Sequence, residues 1–206
     1  HHNIIRTKTM TMANTTVIVP PSGAVTAHCL RLRPGDNLMP SLKQAATIIL
    51  DRIPRERCGA AFVITAVGSL QDVTLRLANA SRMDGDIKNE GNDIKKYTNQ
   101  RFEIVSLTGT FSRDDGCHVH ISLADAEGNA VGGHLIDGVV FTTCELVLGT
   151  ADGVEFVRKM DTETGYHELE ASQLLPNIDQ SIWIQVSKAL LVMTMLGILA
   201  GRVRSR

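Results

Sequence analysis

Residues 101–137 read RFEIVSLTGTFSRDDGCHVHISLADAEGNAVGGHLID. Within this stretch, residues 101–111, 117–123 and 130–137 alternate apolar with polar side chains. Strand side chains point to opposite faces with a period of two, so the alternation predicts three half-buried strands. Glu127-Gly128 predicts a turn between the second and the third. If Asp125 pairs with Asn129, the loop is Ala126-Glu127-Gly128, and Gly128 takes the left-handed position that such loops need.

That register turns three histidines into a constellation. His118 and His120 are two apart on a strand and share a face. Counting outward from the loop, His120 falls directly opposite His134, with Cβ atoms about 5 Å apart. His118 lies one same-face step along. Three neutral imidazoles suit zinc, and also nickel, copper or iron. Three protein ligands leave a position open for water or substrate, and zinc would bring the pKa of a bound water towards 7. A slip of one residue would carry His134 to the other face and leave ordinary surface or core histidines.

The neighbours read as follows. Gly132 and Gly133 permit close approach of a ligand or another backbone, or else mark a bulge or tight packing. Cys117 lies on the alternate face and reads as core, as does Cys144. Arg101 and Glu103 share a face, either as edge protection or as interface chemistry. Glu103 would serve as a general acid or base only if it lay near the metal, and nothing in the spacing puts it there. His28 and His167 are singletons with no assigned role.

Working outward, residues 25–33 alternate as a strand, and Pro34-Gly35-Asp36 turns the chain. Residues 37–53 set Leu38, Leu42, Ala45, Ala46, Ile49 and Leu50 at helical spacing, and Pro54 ends the helix. Residues 60–67 form a continuous apolar run that suits a buried strand; Gly68-Ser69 breaks it, and Val73, Leu75 and Leu77 alternate as the next. Residues 81–100 read as a polar surface loop or insertion, 139–150 as a further strand and 154–170 as a last weak one. The sum is an α+β fold with a largely antiparallel sheet and one main helix packed on it. Residues 182–200 (IWIQVSKALLVMTMLGILA) read as a C-terminal helix packed on the domain or on another subunit; Lys188 near its middle weighs against the alternative, a membrane tail anchor.

With 206 residues the chain suits one domain. Formal net charge is −1, so no global basic field draws it to nucleic acid, although Arg31, Arg33, Arg55 and Arg57 could form a local basic patch. Four cysteines without a CxxC pair read as reduced thiols, which points to an intracellular, cytoplasmic setting with the nucleus as the alternative. His1-His2 reads as the remnant of a purification tag, and the Thr-rich stretch after it lacks the apolar region of a secretory signal.

The stretches RFEIVSLTGTF, CHVHISLADAEGNAVGGHL and FTTCELVLG, with LRLRPGDNL and AAFVITAVGSLQDVTLRLAN upstream, resemble the plants and prokaryotes conserved (PPC) domain over residues 25–170. Residues 1–24 are then tag and extension, and 171–206 a helical extension. The resemblance implies a homotrimer and metal ligands at His118, His120 and His134. It implies a partner-contact segment at Arg101, Phe102, Glu103 and Ile104, preceded here by Gln100 where plant members have glycine. Plant members carry AT-hook segments that bind DNA, but this sequence holds no Arg-Gly-Arg-Pro core. Three functions follow as expectations: a trimeric metal-binding module with a DNA-associated or regulatory role, DNA or a regulatory protein being its partner; a zinc-dependent hydrolase; and an interaction scaffold with a structural metal.

Overall fold

A computed structural model describes residues 20–78 and 94–174, together with the backbone of two short strands, β1 (Thr9–Met12) and β2 (Thr15–Ile18), which pair antiparallel. The helix expected over 182–200 lies outside the described residues, as does most of the polar stretch that begins at residue 81.

Six antiparallel strands make the main sheet: β3 (Val25–Leu32), β4 (Ala60–Arg76), β5 (Ile94–Tyr97), β6 (Phe102–Ser112), β7 (Cys117–Ala124) and β8 (Ala130–Ala151). Their order is β3-β8-β7-β6-β4-β5, and β8 also pairs with β4. Strands β4, β6, β7 and β8 therefore close into a circuit in which each is hydrogen-bonded to the next. The mostly antiparallel sheet with one helix is the architecture that the alternating segments predict.

Two expected breaks are bends instead. Residues 60–67 and the Val73–Leu77 segment belong to the single strand β4. Gly68 bends it without ending it: at φ +144°, a Cβ there would lie 2.1 Å from the Thr143 carbonyl oxygen. Four register shifts against β8 absorb the curvature. Likewise, 130–137 and 139–150 are one strand, β8. The weak strand expected over 154–170 is a hairpin of β9 (Val154–Met160) and β10 (His167–Gln173). Its turn is held by the Asp161 carboxylate, which accepts from the backbone N–H groups of Glu163 and Thr164.

Helix α1 (Leu38–Asp51) buries Leu38, Leu42, Ala46 and Leu50, one per turn, against the sheet. Its capping position, Asn37, makes no side-chain cap. Asp137 of β8 accepts from the Met39 N–H, so a strand residue satisfies one of the free donors of the first turn. Arg113, in the β6–β7 turn, donates to the carbonyls of Ile53 and Cys58 and ties the far end of the helix region to the sheet. Phe102, Leu107, Val119, Leu123, Leu135 and Leu146 fill the core between helix and strands.

Candidate metal centre

Core packing on one face of β7 dictates what its other face presents. Val119, Ile121 and Leu123 are buried, so His118 and His120 point outward and are exposed. The β7–β8 loop has the anticipated form: the Asp125 N–H donates to the Asn129 carbonyl, the Gly128 N–H to the Asp125 carbonyl, and Gly128 sits at φ +82°. The Asp125 carboxylate accepts from the N–H groups of Glu127 and Asn129 and rigidifies the turn. In this register His120 faces His134 directly.

The three imidazoles converge. Ring centroids are 4.8 Å apart for His118–His120, 5.1 Å for His118–His134 and 5.4 Å for His120–His134. One nitrogen from each lies within 4.8 Å of the others. The Nε2 atoms of His118 and His120 are 2.9 Å apart. His134 is half-buried, and its Nδ1 is buried without a hydrogen-bond partner among the described residues. Burial pushes the His134 pKa down to about 4, with Arg76, His118 and His120 adding to the effect. Burial also holds His118 below the usual imidazole range; His120, Arg158 and Arg76 reinforce this, and Glu168 opposes it.

The two glycines before His134 touch backbone. A Cβ on Gly132 would sit 2.7 Å from the Ile121 carbonyl oxygen of β7, and one on Gly133 2.7 Å from the Arg76 carbonyl oxygen of β4. They let β8 squeeze between β7 and β4 where the strand circuit closes, with Arg76 opposite His134. Tight packing therefore explains both.

Other anticipated residues lie elsewhere. Glu103 pairs with Ala124, four residues along β7 from His120 and so about 13 Å away by strand rise. Phe102 and Ile104 are buried, whereas Arg101 and Glu103 are exposed. Strand β6 lies between β4 and β7, so Arg101 and Glu103 protect no edge; the Arg101 guanidinium instead stacks over the Phe141 ring, 4.2 Å from its centroid. Cys117 packs against the core, and Cys144 is fully buried, its thiol pKa raised to about 11 by burial and by Glu145. Of the four arginines of the suspected basic patch, Arg57 is paired with Asp152 at 2.9 Å and Arg31 donates to the Thr143 hydroxyl.

Sequence reasoning missed a cleft of about 330 Å³ beside the histidines. His118 and His120 form one wall with Thr108 and Thr110, their partners across β6. The β9–β10 hairpin supplies Arg158, Glu168 and Leu169. Same-face pairing could have pointed to the threonines; no local signal marks the hairpin residues, because they reach the site through long-range packing.

Residues 20–152 match the family described as the Plants and Prokaryotes Conserved (PCC) domain. The chain belongs to this family. The bifunctional protein GlmU of Synechococcus sp. (strain JA-2-3B'a(2-13)) is 37% identical to the PCC chain over 150 residues, which is 72% of this chain and 21% of that protein. The AT-hook motif nuclear-localized protein 13 of Arabidopsis thaliana is 31% identical over 150 residues, 68% of this chain and 29% of that one. The PCC chain thus spans between a fifth and a third of the length of these relatives. A hypothetical protein from Salmonella enterica shares the fold at a TM-score of 0.63 and 29% identity, over 76% of this chain and all of that one. Among the described residues, no helix is long and apolar enough to cross a membrane.

Proposed function

We propose that this PCC domain is a metal-binding module whose ion is held by His118, His120 and His134, zinc being the first expectation. One observation carries the reading: three imidazoles of one hairpin meet, and the buried Nδ1 of His134 has no hydrogen-bond partner among the described residues. An orphaned buried nitrogen costs about 1–3 kcal/mol, so a site that keeps one is accounted for by a ligand that satisfies it. Nitrogens bound tetrahedrally to zinc at its usual ~2.0 Å bond length lie roughly 3.3 Å apart. The His118–His120 nitrogens are already at 2.9 Å, and modest side-chain rotation brings the third within reach. With its pKa near 4, His134 is neutral at physiological pH, as a ligand must be. Bound zinc would supply Lewis acidity and an acidified water at its fourth position.

The domain boundaries that accompany this reading are 25–170 for the module and 171–206 for a C-terminal extension. The proposed assembly is a homotrimer, supported by large aliphatic side chains left exposed on the strands: Ile64, Val67, Val105 and Ile136. The exposed Arg101 and Glu103 are the members of the partner-contact segment available to another chain. The proposed role is regulatory and DNA-associated, as the name of the AT-hook relative suggests. With Arg57 neutralised by Asp152, direct DNA contact by the module alone is expected to be weak, and a protein partner or a neighbouring domain would bring it to DNA.

Metal analysis after equilibrium dialysis tests the site. One ion per chain is expected in the wild type, with loss in His118→Ala and His134→Ala. A wild-type protein that takes up no zinc, nickel, copper or iron would end the proposal. Light scattering should return three times the chain mass, and a monomer would remove the trimer. A gel shift at physiological salt tests DNA contact; no shift below about 100 μM, the weak limit of ordinary non-specific binding, would count against DNA.

A further inference from the structure

We propose that Arg158 anchors the carboxylate of a small organic acid in the cleft beside the three histidines; the acid's second oxygen is ordered by the bound ion, so the proposal rests on the metal reading.

Arg158 has no ion-pair partner among the described residues. Its Nη2 donates to the Thr110 hydroxyl at 2.7 Å, a neutral partner that positions the fork and leaves its charge intact. Among the described residues, no carboxylate lies within ion-pair distance of it. The adjacent Lys159, by contrast, is neutralised by Glu170 at 2.6 Å. Carrying a half-buried, unneutralised guanidinium is costly, and such forks match planar carboxylates.

Its placement is built. Thr110 is the cross-strand partner of His118, so the bond to Thr110 tethers the guanidinium, which comes from the β9–β10 hairpin, to the wall that carries the histidines. Gly116 leaves room for the arginine stem, because a Cβ there would lie 2.6 Å from the Arg158 Cγ. The cleft volume of about 330 Å³ is at the lower end of small-molecule sites.

Charge selects the ligand class. Glu168 lines the same cleft, its carboxylate accepting from the Thr164 hydroxyl. A negative charge on the lining of the same cleft repels a dianionic phosphate more than a singly charged carboxylate. A monocarboxylate with a second oxygen donor meets both requirements.

The test uses the full chain loaded with cobalt(II), whose visible bands report changes at the ion. Metal content is measured first, and lactate or inorganic phosphate is then titrated into the wild type, Arg158→Met and Arg158→Lys. Both variants should retain cobalt at the wild-type stoichiometry. Lactate should shift the wild-type bands saturably; its affinity should fall about tenfold or more in Arg158→Met and less in Arg158→Lys, which keeps the charge without the fork. Phosphate should bind more weakly than lactate. Lactate affinity within twofold of wild type in Arg158→Met, tighter binding of phosphate, or unchanged bands at tens of millimolar lactate would each overturn the proposal. If the wild type takes up no cobalt, the metal reading has failed on its own measurement. Lactate is then titrated calorimetrically into the metal-free protein, where the absence of Arg158-dependent heat overturns the anchor and its presence upholds it.

Discussion

Replacing Gly133 with alanine should damage the metal site without touching a ligand. The added Cβ would lie 2.7 Å from the Arg76 carbonyl oxygen, whereas an ordinary C···O contact is about 3.3 Å or more. The obstacle is backbone on β4, so relief requires β8 and β4 to part by roughly 0.6 Å next to His134. Overpacking of this kind costs about 1–3 kcal/mol. The displacement also moves a ligand beyond the ~0.5 Å tolerance of a preorganised site, and loss of supporting contacts around metal ligands typically weakens affinity about 10–100-fold. Gly128→Ala is the control: at φ +82°, with nothing within 4 Å of the added Cβ, it incurs only left-handed strain of about 1–2 kcal/mol at the loop tip. Urea denaturation of the metal-free proteins measures the first effect, and zinc competition against a chromophoric chelator the second. Both variants should lose stability, but only Gly133→Ala should lose affinity by tenfold or more. Equal zinc affinity in Gly133→Ala and wild type would refute the claim that strand closure at Gly133 positions His134.

Three further outcomes are expected. The metal-free protein should lose stability as pH falls from about 6.5 to about 4: His134 stays neutral in the fold down to about 4, the unfolded chain takes up its proton from 6.5 downward, and protonation therefore favours unfolding in that window. Urea midpoints measured in chelator at pH 7 and pH 5 should differ for wild type, and the difference should shrink in His134→Gln, with a remainder from His118, whose pKa is also lowered; no difference for wild type would contradict the burial argument. Phe102→Ala should cost about 3–5 kcal/mol, because the ring is 2% exposed and meets Tyr97 edge-on, and a loss below about 1 kcal/mol in thermal denaturation would remove Phe102 from the core. Iodoacetamide at pH 8 should modify the exposed Cys29 while sparing Cys144, whose thiol is fully buried with its pKa raised to about 11; mass spectrometry finding Cys144 alkylated in the folded protein would contradict this.

The hairpin that carries the histidines was legible because its signals are local. Gly128 and the Asp125–Asn129 pair fix a three-residue loop, and the period of two then determines which side chains meet. The helix was legible from the spacing of Leu38, Leu42, Ala46 and Leu50. Gly68-Ser69 misled because glycine breaks short strands, whereas here it lets a long strand pass against the Thr143 carbonyl. Strand β5 was hidden because Ile94–Tyr97 offers little hydrophobic pattern and is stabilised by pairing with β4. Arg158 and Glu168 were illegible as site residues, since their approach to His118 depends on the β9–β10 hairpin packing over β6 and β7, and no local sequence rule encodes that contact.

X-ray absorption at the zinc edge of the reconstituted protein tests the central claim most directly. Three imidazole nitrogens at about 2.0 Å, with one further light scatterer and no sulfur, is the predicted shell, and each of His118→Ala, His120→Ala and His134→Ala should remove one imidazole or abolish binding. A sulfur shell at about 2.3 Å, which would implicate the neighbouring Cys117, or a wild-type imidazole count that no single histidine substitution changes, would contradict it.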